Sequence, residues 1–408
     1  MKPFKPFSQI FILASLTAIG IVAGIAARAD DGADPGRGPN RYVVTNLTSN
    51  DTKKIPAENM DPVLRNAWGV AFTPGASPFW VADNATGCST LYDGAGVPQP
   101  LVPKPLKVRI PGPGGSLPPQ ACIQPDPANA APTGLVWNPS AAFAVPGTKS
   151  ATNPNGIAAA FIFDTEDGTI SAWAGGLTPS DAAVIAVDNS GSSAVYKGLV
   201  VGVNAQGVFL FATNFHAGTI DVFGPPKNPG GPPSDPNSLF TPATTDGGFT
   251  DPDIPPGFAP FGIQNINGDL FVTYAKQKPP DNHDDLAGPG NGFVDIFDTD
   301  GHLLQRFASG RPLNSPWGVS RASFAFGRFS GDILIGNFGD GQINAFDSNG
   351  NFRGTLRGDK GKPIVIDGLW TLTLGGGRNS SSDTLYFTAG PNDETDGLFG
   401  TITPASKN

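Results

Sequence analysis

The sequence predicts an all-β protein: a six-bladed β-propeller of four-stranded antiparallel blades. Three observations lead there. A turn phrase recurs, because "GNFGDGQINAFD" at 336–347 and "TNFHAGTIDVF" at 213–223 share one frame of Asn-Phe, Gly, Ile and Phe. Short runs rich in Val, Ile, Phe and Trp, bounded by Gly, Pro, Asn and Asp, read as strands. No stretch beyond the N-terminus holds a 3.6-residue apolar period long enough for a helix.

The first segment reads as an export signal. Lys2 and Lys5 precede the apolar run "IFILASLTAIGIVAGIA", and Ala27-Arg28-Ala29 offers a cleavage site, so residues 1–29 are expected to be removed. The run is long, and an uncleaved membrane anchor is the alternative. Residues 30–40 read as a flexible lead-in, 41–404 as the propeller and 405–408 as a tail. The expected location is outside the cytoplasm, periplasmic or secreted, with no membrane span after cleavage.

The blades follow from a glycine anchor with an apolar residue two places on and an aromatic or apolar residue five places on. Gly168, Gly218, Gly292, Gly341 and Gly397 fit, and Gly87 fits more weakly, which makes six copies. Their spacing of roughly 50 to 80 residues suits a propeller array. A strand precedes each anchor ("FWVAD", "AAFIFD", "VFLFAT", "LFVTYA", "DILIGN", "TLYFTA"). A further strand precedes that one ("AWGVAF", "TGLVWN", "KGLVVG", "FGIQNI", "PWGVS", "GLWTLTL"). Hairpins such as "DTDG" and "DSNG" lead to a fourth strand. The last unit supplies only three strands, and "RYVVTNLT" at 41–48 stands spare. Pairing it with about 397–403 closes the ring and removes an open edge.

Cys88 and Cys122 are the two cysteines of the chain. In an exported protein they allow one disulfide, with two separate thiols as the alternative. The net charge of −9 argues against nucleic acid as a partner.

Propeller topology gathers first-strand starts and second-to-third turns on one face around the axis. That face is expected to carry Asn66, Asn314 and Asp367 from the first group. The second group gives Asp83, Asn84, Asp164, Asn214, His216, Tyr274, Lys276, Asn337 and Asn392. Three turns there are acidic, "DTEDG" at 164, "DNHDD" at 281 and "DETDG" at 393. The blade-four turn, about 276–292, is long and expected to be mobile, bringing His283 and Asp285. Asp83, Asn214, Asn337 and Asp367 are the best-placed oxygens for a hard cation such as Ca2+. Taken singly, each is also what turn capping alone requires. Trp68, Trp317 and Trp370 suit packing between blades. His216, His283 and His302 lie in different blades without metal-ligand spacing, which argues against zinc. No nucleophile elbow or phosphate-binding loop is present.

The phrases "NAWGVAF", "FWVADNATG", "YAKQ", "HDDLAGPGNGFVDIFD" and "SPWGV…GDILIGNFGDGQINAFD" resemble a family of exported bacterial proteins of unknown function. That family is similar to the NHL-repeat and gluconolactonase-like propellers. The resemblance implies the fold and export, and no activity. Two functions follow as expectations. One is a non-catalytic scaffold that binds a small molecule, a carbohydrate or an extracytoplasmic protein through the mouth of the channel. The other is a metal-dependent, lactonase-type hydrolase. The gluconolactonase pattern opens its first inner strand with a glutamate ligand, where this chain has Asn66, which weakens the second.

Overall fold

The structure is a computed structural model. It describes residues 38–406, apart from 76, 101–103, 124–129 and 225–239. The expected signal peptide and most of the expected lead-in lie outside the described residues.

Six sheets form, one per predicted blade. Blade one is Ala67–Ala71, Phe79–Asp83, Cys88–Tyr92 and Lys107–Arg109. Blade two is Pro132–Trp137, Phe161–Thr165, Thr169–Trp173 and Val184–Asp188. Blade three is Tyr196–Asn204, Gly207–Asn214, Thr219–Phe223 and Pro242–Ala243. Blade four is Phe258–Ile266, Asp269–Lys276, Phe293–Phe297 and Leu303–Ser309. Blade five is Pro316–Arg321, Ile333–Asn337, Ile343–Phe346 and Phe352–Thr355. Blade six is Leu369–Leu374, Leu385–Ala389 and Leu398–Pro404, completed by Tyr42–Ser49. The spare strand pairs antiparallel from Tyr42↔Pro404 to Ser49↔Leu398. A short strand, Asn59–Met60, adds parallel outside it, an element the sequence pattern did not indicate. Asn40, expected in the flexible lead-in, is docked: its Nδ2 donates to the Thr355 carbonyl at 2.9 Å.

The anchor glycines open the third strands for physical reasons. Gly87, Gly168, Gly218 and Gly341 take left-handed φ of 67–79°, which glycine adopts at least cost. In blade six a Cβ on Gly397 would sit 2.1 Å from the Leu64 carbonyl oxygen.

A second repeat lines the axis. Each first strand breaks register once, and at or just after the break stands Gly69, Gly134, Gly198, Gly262, Gly318 or Thr371. Neighbouring blades touch backbone to backbone at this level. A Cβ on Gly262 would lie 2.3 Å from the Trp317 oxygen, and one on Gly318 would lie 2.3 Å from the Trp370 oxygen. Thr371 closes the ring by donating its hydroxyl to the Trp68 carbonyl at 2.7 Å. A cavity of about 60 Å3 lies on the axis at this level. Just above it Trp68, Phe215, Phe261 and Trp370 form a buried aromatic plug, with Trp317 and Phe338 at its margin. Trp68 and Trp370 stack at 3.4 Å, and Trp317 meets both edge-on, so the three tryptophans do pack blade on blade.

The disulfide Cys88–Cys122 is formed, tying the start of a blade-one strand to the loop beyond that blade.

Candidate functional site: the mouth of the axis

Polar side chains from blades one, two, three and six converge on the aromatic plug. Asn66 precedes the first strand of blade one with a left-handed φ of 44°. Its Oδ1 accepts from Trp370 Nε1 at 3.0 Å. Its Nδ2 donates to Glu394 Oε2 at 2.5 Å and faces Asn84 Oδ1 at 3.1 Å. Asn84, just past the second strand of blade one, donates from Nδ2 to Glu166 Oε2 at 2.8 Å. Glu166 lies in the acidic turn of blade two, and its Oε1 accepts from Lys197 Nζ. Lys197 is the second residue of blade three's first strand, and its side chain is only 4% exposed. Its ammonium sits 5.4 Å over the Trp68 ring and 6.0 Å from that of Phe215, within cation–π range. Glu394 is held in blade six by a turn in which Asn392, Asp393 and Glu394 all adopt left-handed φ, of 58°, 52° and 61°. The Trp68 indole N–H is buried with no hydrogen-bond partner among the described residues.

This packing separates the acidities of the two glutamates. Burial and the Glu166 charge push the Glu394 carboxyl up to about 7, against the pull of Lys197 and Asn66. Burial also disfavours ionisation of Glu166, but the charges of Lys197 and His283 overcome it and hold that carboxyl below its ordinary value. His283, on the blade-four turn, is raised by its 3.0 Å contact with Asp284 and by the Glu166 charge. Asp285 beside it is raised by burial, against Lys197.

Of the residues expected from sequence, Asn66 and Asn84 are in the centre, and His283 and Asp285 face its charges. The others serve their own turns or blades. Asp83 is fully buried: Phe79, Val81 and Asp83 share one strand face, which packs against blade six. Burial and nearby Asp61 hold its carboxyl well above the usual range. Asp164 accepts from Thr133 Oγ1 at 2.8 Å and the Gly134 amide at 2.5 Å, stapling blade two's first strand, and burial raises it to about 7. Tyr274 is buried in the core between blades three and four, away from the axis. Asn214 accepts from the Val195 and Ala217 amides and donates to Asp221. Asn337 donates to the Pro312 carbonyl and to Asp340. Lys276 ends its strand, its carbonyl accepting from Leu286 at 2.7 Å. Asn314 accepts from the Gly288 amide at 2.7 Å and donates to Asp340 at 3.3 Å, pinning the long turn to blade five. Gln277 ties the same turn to blade three through the Phe215 carbonyl at 2.6 Å, and His216 through that of Asp281 at 2.7 Å. The turn is therefore tethered on both flanks rather than swinging free.

The expected cation ligands are not brought together. Asp83, Asn214 and Asn337 are committed to separate blades, and Asp367 is exposed, receiving the Asn392 amide at 2.8 Å. Among the described residues no group of three or more His, Cys, Asp or Glu is arranged to hold a metal ion. The mouth already holds the buried ammonium of Lys197, so the donor set does not fit a hard cation.

Sequence reasoning passed over Glu166, Lys197 and Glu394. Two signals marked them. The chain has three glutamates among 35 acidic residues, and two of the three meet here. Aligned on the first-strand bulge, Lys197 occupies the place of Trp68, Phe261, Trp317 and Trp370 in other blades.

Fold and site together define a six-bladed propeller with a buried acid–lysine cluster over its plugged axis. The chain belongs to a family that includes two uncharacterized proteins of Acanthamoeba polyphaga mimivirus. R648 is 31% identical over 370 residues, covering 90% of this chain and 82% of the relative. L690 is 30% identical over 370 residues, covering 90% and 87%. Both relatives are viral, not bacterial. No known protein-family model matches the chain. Among solved structures, a putative gluconolactonase aligns with a TM-score of 0.50 at 12% identity, over 92% of this chain and 97% of that one. At that identity the likeness shows the fold alone.

Proposed function

We propose that the protein binds a small, neutral, hydroxyl-bearing molecule, such as a sugar or polyol, at the mouth of the axis. One observation carries this reading: Glu166, Lys197 and Glu394, from three blades, are gathered and largely buried at one point. Burying ionisable groups is costly, and apolar residues fill Lys197's position in four other blades. Amide and carboxylate groups beside an unpaired indole N–H offer both donors and acceptors to hydroxyls. Lys197 spends one of its three N–H groups on Glu166, leaving donors for a guest.

The indole signals of Trp68, Trp317 and Trp370 test the reading by 1H–15N spectroscopy. Neutral monosaccharides and polyols added to the full chain are expected to shift them, and Lys197→Met is expected to abolish the shift. Indole signals unmoved across such a panel would refute it. For location, we propose export: the apolar N-terminal run and Ala-Arg-Ala site support it, as does a disulfide, which persists in oxidising compartments. N-terminal sequencing of the protein recovered outside the cytoplasm should begin near Asp30.

A further inference from the structure

We infer that Glu394 is the proton-exchanging carboxyl of the mouth. Protonated, its Oε1 donates a hydrogen bond to a ligand oxygen, and loss of that proton to solvent removes the donor and releases the ligand. The inference rests on the proposed reading of the mouth as a binding site and assigns the roles within it.

The two glutamates are not equivalent. Glu166 has both oxygens engaged, Oε1 by Lys197 and Oε2 by Asn84, so each already has a protein partner. It acts as a fixed negative charge that holds Lys197 in place. Glu394 has Oε2 engaged by Asn66, while Oε1 has no hydrogen-bond partner among the described residues. The carboxyl is presented by a backbone turn in a sparsely populated conformation, which persists only where surroundings enforce it. They do so here: the Asn392 amide donates to Asp367 Oδ2 at 2.8 Å, Asn392 Nδ2 to Asp396 Oδ2 at 2.8 Å, and the Glu394 amide to the Gly390 carbonyl at 3.1 Å. Asp367 is therefore a positioning residue for Glu394.

Glu394 is also electrostatically poised. Glu166 from blade two and Asp284 from the blade-four turn oppose its ionisation, Lys197 from blade three favours it, and Asn66 bonds the charged form. On its own turn Asp393 is exposed, and Asp396 is engaged by Asn50, Asn392 and Lys54. Both protonation states are therefore populated near neutral pH, the condition for efficient proton exchange. The exchange balances simply: the Glu394 O–H bond breaks as an O–H bond to solvent water forms, and the reverse, with no change of oxidation state.

The test uses the full chain labelled with 13C at the glutamate carboxyls, giving three signals. Glu394→Gln and Glu166→Gln assign two of them. The Glu394 signal is expected to titrate near neutral pH, and Glu166 at lower pH. A Glu394 midpoint in the ordinary carboxylate range overturns the inference. The second arm measures affinity for a neutral monosaccharide, D-glucose or D-galactose, from the indole shifts as pH is varied. Because the protonated form is the one that binds, wild-type affinity is expected to fall about tenfold per pH unit above the Glu394 midpoint, and Glu394→Gln to flatten the profile. Binding that is independent of pH overturns this inference alone. Indole signals that no probe moves overturn the binding reading, and the inference with it. Should Glu394→Gln fail to fold, the wild-type titration and affinity profile still decide.

Discussion

At Lys197 the chain replaces an aromatic side chain with a charge and then has to neutralise it. Removing one partner of a buried pair leaves the other uncompensated, typically at about 3–5 kcal/mol. Lys197→Met is therefore expected to destabilise the protein by about that amount, and adding Glu166→Gln should recover most of it. Denaturant unfolding of the two single variants and the double variant measures the coupling, and strictly additive losses would show that the pair is not linked. Glu394 gives a pH signature of definite sign. Its folded-state value, about 7, lies above the ordinary 4.5, so ionisation favours the unfolded chain. The contribution is fully present below pH 4.5 and lost as pH rises through about 7. The stability difference between wild type and Glu394→Gln should therefore move against wild type across that window, by up to about 3 kcal/mol. A difference that stays constant from acid to neutral pH would show that Glu394 is not raised.

Among the elements, glycines are required for two reasons that the sequence does not distinguish, and Gly341 for both. Gly218 needs a left-handed φ but has open space around its missing Cβ, whereas Gly318 lies against the Trp370 carbonyl. Gly218→Ala should cost only the backbone strain, about 1–2 kcal/mol. Gly318→Ala has to push two blades apart and should cost about 3 kcal/mol or more, as overpacking at a rigid contact does. Thermal melts of the two variants check the order. The disulfide adds at this scale: it closes a loop across 34 residues, so Cys122→Ser should cost about 4 kcal/mol by loop entropy. The blades were legible because each must repeat the same turn and the same bulge, and repetition survives reading without coordinates. The site was legible only in part. All three acidic turns do reach the mouth, but turn chemistry favours Asp and Asn throughout, so a carboxylate at a turn says little about where it aims. Asp164 and Glu166 lie two residues apart on one turn, yet the first points into the blade and the second along the axis. That outcome depends on the neighbouring blade, which supplies Lys197. Tyr274 misled for the same reason, since strand alternation alone does not say which face meets the next blade.

Across the whole molecule, ring closure depends on a strand that lies about 350 residues from its partner in sequence. Tyr42–Ser49 does more than cover an edge. Tyr42 is buried in blade five, where it stacks on Phe326 at 4.9 Å and donates its hydroxyl to the Phe326 carbonyl at 3.0 Å. Leu47 packs with Phe79 and Tyr386 where blades six and one meet, and Thr48 donates to the Gly96 carbonyl at 2.6 Å. One strand therefore clasps blades five, six and one. A chain beginning at Asn50 would lose the seven residue pairs with Leu398–Pro404, expose that strand's edge and open a buried slot where Tyr42 sits. Marginal stability leaves little margin for such a loss, so the truncated chain should melt at much lower temperature or fail to fold cooperatively. A synthetic peptide of residues 38–49, added in excess, should pair with the vacated edge and restore part of the melting temperature in a concentration-dependent way. A truncated chain that melts with the full-length protein would mean that the blades hold their ring without the clasp.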